Sequence, residues 1–102
     1  MKLAIGPSGS GKTEAAIKEA RGGEFYYLCS TNEMAEQFIG VEGMSLKSYL
    51  NKKRAGHLHP DWPVIIDDVE FCLKALGIKN IHMMTVSTGN PTRPLSVMDV
   101  EY

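Results

Sequence analysis

The 102-residue chain holds only two cysteines, Cys29 and Cys72, far apart and with no CxxC or Cys/His cluster around them. That scarcity argues against a disulfide framework or a thiolate metal site and for free buried thiols in a reducing compartment. Excess charge is also missing. Eleven Lys plus Arg against twelve Asp plus Glu leave a net charge of -1, so nucleic-acid contact driven by a general basic excess is excluded and any such contact must be local. No apolar run approaches the ~20 residues of a bilayer span, and the first residues lack the apolar stretch of a signal peptide. A cytoplasmic protein without membrane attachment is therefore expected. There is no internal repeat, low-complexity segment or linker. With 43% hydrophobic and 23% charged residues, the composition is that of one globular domain over residues 1–102, with a modest core.

Met1 to Ile5 reads as a short apolar strand running into Gly6-Pro7-Ser8-Gly9-Ser10-Gly11, which is too rich in glycine and proline to continue either a strand or a helix. Lys12 to Arg21 follows as a helix with Ala15, Ala16, Ile17 and Ala20 on its apolar face, and Gly22-Gly23 stops it. Glu24 to Cys29 (EFYYLC) reads as a buried strand. Ser30-Thr31-Asn32-Glu33 fits a capping box opening a second helix through Met34, Ala35 and Phe38. Beyond Gly40 and Gly43, Leu46, Tyr49 and Leu50 mark a third, shorter helix, closed by the favourably placed charges of Lys52-Lys53-Arg54. Gly56 to Pro63 is a loop, and Val64-Ile65-Ile66 is a strongly β-prone strand ending at Asp67-Asp68. Val69 to Leu76 has a helical pattern with Gly77 as its stop, Ile81 to Val86 is a fourth strand, and Ser87 to Pro94 is a loop.

This alternation predicts an α/β fold, a three-layer sandwich around a mainly parallel sheet of four or five strands. The third strand is expected between the second and fourth, with the fourth beside the first. The turn at 87–94 is too short for a crossover helix, so Leu95 to Tyr102 is either an antiparallel strand or an extended tail suited to assembly.

Gly6-Pro7-Ser8-Gly9-Ser10-Gly11-Lys12-Thr13 matches G-x-x-x-x-G-K-[ST]. By background composition this pattern arises by chance in well under about 1% of chains this long. Glycines let the backbone wrap a polyphosphate so that successive N–H groups face it, and the positive end of the following helix adds to the attraction. Lys12 is placed to bridge the β- and γ-phosphates and Thr13 to ligate magnesium. Residues 6 to 13 are thus the candidate nucleotide-binding set, with Lys12 also catalytic.

The strand ending in Asp67-Asp68 has the form of a Walker B element, which delivers an acid to the rim where magnesium sits. Asp67 is the candidate metal ligand, acting through water, and shares that role with Thr13. Asp68 either polarises the attacking water or caps the helix beginning at Val69; as a base it is one methylene shorter than glutamate. Ser87, Thr88 and Asn90 follow the fourth strand, at the edge where doubly wound sheets bind ligands. Asn90 is a candidate γ-phosphate contact, and the segment is equally a plain turn.

Taken together, the order of motifs resembles RecA-like P-loop NTPases, and most closely the first motor domain of superfamily one DNA helicases, over about residues 1 to 90. Tyr27-Leu28-Cys29-Ser30-Thr31-Asn32-Glu33-Met34-Ala35 and Val41 to Leu50 resemble the DNA-facing segments of that domain. Asp67-Asp68 departs from the family's Asp-Glu, no Gln follows the fourth strand, and a second motor domain is absent from residues 1–102. The resemblance implies a RecA-like P-loop core that binds ATP with Mg2+ and hydrolyses it slowly. It implies action with single-stranded DNA or a replication or recombination protein, with self-association as a further expectation. The alternatives are a non-hydrolysing regulator or decoy of a larger helicase or loader, and a small-molecule kinase, because the same loop and Ile66-Asp67-Asp68 also look like thymidine kinase motifs.

Overall fold

The structure, a computed structural model, describes residues 1–7, 10–67, 80–87 and 94–100. Its elements are β1 (Lys2–Gly6), α1 (Lys12–Arg21), β2 (Tyr26–Cys29), α2 (Asn32–Glu36), β3 (Glu42–Ser45), α3 (Leu46–Arg54), β4 (Val64–Ile66), β5 (Ile81–Ser87) and β6 (Ser96–Asp99). The helix expected at Val69 to Leu76 lies outside the described residues, as does Cys72.

The strands form one six-stranded sheet in the order β3-β2-β4-β5-β1-β6. Only β6 runs antiparallel, pairing with β1, and every other pair is parallel. The expected succession of β2, β4, β5 and β1 is present, and residues 96–99 take the antiparallel option.

Alternation along the strands sorts side chains to two faces. Tyr27, Cys29, Ile65 and Met83 pack with Ala16, Ile17 and Ala20 of α1 and Ala35 of α2. Tyr26, Leu28, Met44, Val64 and Ile66 pack with Tyr49 of α3 on the other side. β2 and β4 are buried throughout because they are covered on both faces and paired along both edges, which is why they read as continuous apolar runs. Ile65 is fully buried at the centre, where truncation to alanine costs roughly 2–5 kcal/mol.

Three details depart from the sequence expectations. The sheet has six strands rather than four or five, because Glu42–Ser45 pairs with β2 in register from Tyr26↔Glu42 to Cys29↔Ser45. Gly43 hid this strand; it is needed because α2 passes directly over it, where a Cβ would sit 3.0 Å from Ala35. The second helix starts one residue later than a Ser30 cap would place it, with Thr31 accepting from the Met34 N–H at 3.2 Å, and it ends at Glu36, before Phe38. The third helix ends in a Schellman motif: Gly56, at φ +73°, donates to Lys53 O (3.2 Å), and the His57 N–H donates to Lys52 O (3.0 Å).

Candidate functional site

Parallel pairing fixes where chemistry collects. The carboxyl ends of β1, β2, β4 and β5 and the start of α1 converge on one edge of the sheet, where open α/β sheets take ligands. Gly11 opens α1 from the left-handed region at φ 95°, a conformation that favours glycine, and no side chain among the described residues caps the helix. Its first N–H groups are left to a ligand or to water.

The loop before it is tightly wound. The Ser10 N–H donates to Pro7 O at 3.1 Å, and a Cβ on Gly6 would collide with Ser10 Oγ. That hydroxyl is buried and has no hydrogen-bond partner among the described residues. Lys12 is also buried, and its ammonium donates to Pro7 O over 2.9 Å. The lysine is thus folded back onto the loop, within the turn that a bound anion would occupy. Ser8 and Gly9 lie outside the described residues.

Asp67 directly follows β4, and its N–H continues the ladder to Leu28 O at 2.8 Å. The residue is 4% exposed. Burying a carboxylate is costly unless donors meet it, and three hydroxyls from three elements do so. Thr13 in the first turn of α1 donates to Oδ2 over 2.9 Å. Tyr27 of β2 donates to the same oxygen, and Thr85 of β5 donates to Oδ1. The structure therefore brings together Gly6, Pro7, Ser10, Gly11, Lys12, Thr13 and Asp67 from the sequence-derived set. Asp68 and Asn90 fall outside the described residues.

Sequence reasoning missed Tyr27 and Thr85. The signal was faint: each is a hydroxyl within a buried strand, on the face that alternation gives to Ile65 and Asp67. Convergence on one carboxylate becomes visible only once register is fixed, with Ile66 opposite both Leu28 and Met84.

Thr13 and Asp67 offer a hydroxyl and a carboxylate, hard oxygen donors that suit magnesium. No group of three His, Cys, Asp or Glu side chains suited to a metal occurs among the described residues. A magnesium ion here would draw its remaining ligands from phosphate and water, as that ion commonly does.

The basic residues divide. Lys47 lies in the first turn of α3, whereas Lys52, Lys53 and Arg54 lie in its last turn, at the other end of the helix. Tyr26 is a core residue, with its ring against Tyr49 and Trp62, rather than an exposed stacking platform. Cys29 is a buried free thiol whose Sγ donates to Thr31 O at 3.2 Å, and burial pushes its pKa up. No helix among the described residues is long and apolar enough to cross a membrane. No protein-family model, curated protein or solved structure matches the chain.

Proposed function

We propose that the chain binds a magnesium–nucleoside triphosphate, ATP in the first instance, at the loop from Gly6 to Thr13 and hydrolyses it slowly. One observation carries the reading: Thr13, at the end of a G-x-x-x-x-G-K-T loop, meets the buried Asp67 carboxylate at 2.9 Å across 54 positions of sequence. A glycine-rich turn occurs for many reasons. A turn whose hydroxyl is paired with an acid from the end of a buried strand supports the reading more than the turn alone, because a phosphate and metal site needs both groups near each other.

The chain's own groups account for binding and alignment. The uncapped first turn of α1 supplies N–H donors to the phosphates. Lys12 exchanges the Pro7 carbonyl for phosphate oxygen and neutralises charge on the transferring group. Thr13 and Asp67 would hold magnesium, which would supply charge neutralisation at the phosphates. Tyr27 and Thr85 fix the Asp67 carboxylate from behind. Asp68 is the base in this reading, orienting water in line with the γ-phosphate.

The placement of β5 between β1 and β4 suits a RecA-like core. Action through a nucleic-acid or protein partner is part of the proposal. Exposed Met34 and Ile39, 50% and 87% accessible, support it from the α2 side of the site. Titration calorimetry with ATP, in magnesium and in EDTA, together with phosphate release, tests the reading. Saturable, magnesium-enhanced binding is expected, and Asp68→Asn should stop hydrolysis while sparing binding. Absence of binding under both conditions refutes it.

A further inference from the structure

A cavity lies at the opposite end of the sheet from the glycine-rich loop. It measures about 710 Å3 and is lined by Tyr49, Lys53, Gly56, Leu58, His59, Pro60 and Asn80. The last turn of α3 forms one wall, the loop leading to β4 forms another, and Asn80 at the entry to β5 completes it. This is within the size range of pockets that enclose one small molecule.

Its walls combine ring faces with positive charge. The His59 imidazole stacks on Trp62 at 4.8 Å and an interplanar angle of 13°. Beneath them, Tyr26 packs against both Trp62 and Tyr49, and its hydroxyl accepts from the His59 N–H at 2.9 Å. The platform is therefore pinned to the core. Lys53 Nζ stands 5.9 Å from the Tyr49 ring centroid. Asn80 is oriented by its own bond to Trp62 O at 2.9 Å.

Two features single the cavity out as a ligand site. Tyr49 is only 4% exposed, yet its hydroxyl makes no hydrogen bond among the described residues, and burial raises its pKa. The ring is buried while the hydroxyl oxygen, which is not among the fully buried atoms, opens onto the cavity and is free to donate to a ligand there. The carbonyls at the end of α3, which would repel an anion, are already engaged: Lys52 O and Lys53 O accept from His57 and Gly56. The ammonium of Lys53 thus meets a helix terminus whose carbonyls are partly engaged and whose partial negative charge it offsets.

From this cavity we infer that the protein has a second ligand site, for a small planar ring bearing a phosphate, with the ring against His59, Leu58 and Pro60 and the anion on Lys53 and the Tyr49 hydroxyl. Such a site is separate from the phosphate loop and does not depend on the triphosphate reading.

The chain contains a single tryptophan, and Trp62 lies under the ring platform, so its fluorescence reports occupancy. AMP and CMP are the probes, with inorganic phosphate and a single-stranded oligonucleotide as comparators. Saturable quenching by a mononucleotide is expected, weakened at least tenfold by Lys53→Ala and by Tyr49→Phe, and unchanged by Lys12→Ala. The Tyr49→Phe ring keeps the core packing, so loss there is not loss of fold. The inference is overturned if neither mononucleotide quenches saturably, or if both cavity variants bind like the parent. It is equally overturned if Lys12→Ala abolishes the effect, if phosphate alone binds as well as the mononucleotides, or if only the oligonucleotide binds.

Discussion

The Thr13 hydroxyl donates to Oδ2 of Asp67 over 2.9 Å, joining the first turn of α1 to the end of β4. The bond links the start of α1 and the glycine-rich loop before it to the centre of the sheet. It also places a hydroxyl and a carboxylate close enough to serve one cation. If that is their use, Asp67→Asn should remove the enhancement of ATP affinity by magnesium and leave binding in EDTA nearly unchanged. The amide has only one acceptor oxygen for three hydroxyl donors, so stability should fall by about 1–3 kcal/mol. Calorimetry with and without magnesium, alongside urea denaturation, reads both effects. Full magnesium dependence in the variant would remove Asp67 from the metal site.

Lys12 carries the second prediction. Its ammonium is buried against Pro7 O at 2.9 Å, a contact that holds it in the loop at little energetic benefit when no anion is present. Lys12→Ala should therefore weaken ATP binding at least tenfold while changing the unfolding midpoint only slightly. Affinity equal to the parent's would mean that the loop is a glycine turn and nothing more.

Tyr27 supplies the third. Its ring packs edge-on to Phe38 at 5.7 Å, and its hydroxyl donates to Asp67. Tyr27→Phe keeps the packing and deletes the donor, so the expected cost is about 1.5–3 kcal/mol, the range for a hydrogen bond to a charged group. Magnesium affinity should fall too, because Oδ2 loses one of the two donors that orient it. Unchanged stability and unchanged magnesium affinity together would deny the hydroxyl any positioning role.

The sequence made some of this arrangement legible and hid the rest for identifiable reasons. The break between β1 and α1 could be read because its cause is local: glycine and proline end the strand, and the good helix formers from Lys12 to Arg21 start the helix. Asp67 could be read because an acid at the end of Val64-Ile65-Ile66 conflicts with burial unless something compensates it. Strand order followed from short connections and parallel crossovers. Tyr27 and Thr85 could not be read, since their meeting at Asp67 depends on register across three strands, and in isolation each looks like an ordinary core residue. β3 escaped notice because Gly43, required by the close passage of α2, breaks any β signature in Glu42–Ser45. The cavity beside Tyr49 needed the left-handed Gly56 to turn the chain back over α3, and proximity in sequence gave no hint of it.

A last prediction concerns pH, away from both sites. Glu19 Oε1 accepts from Lys2 Nζ at 2.6 Å and lies 2.8 Å from His82 Nε2. The Lys2 hydrogen bond, then that of His82, holds the Glu19 carboxyl below its ordinary value of 4.5. A carboxyl whose pKa is lower in the folded chain contributes stability that is present above its unfolded pKa, and this is lost as pH falls through the folded value. Glu19→Gln should thus be less stable than the parent at neutral pH, by under about 1 kcal/mol because Glu19 is partly solvated and screened. The gap should narrow as pH drops below 4.5, and added salt should narrow it at neutral pH. Denaturation midpoints of the two proteins across that range decide the matter: a gap independent of both pH and salt would show that Glu19 acts through packing rather than charge.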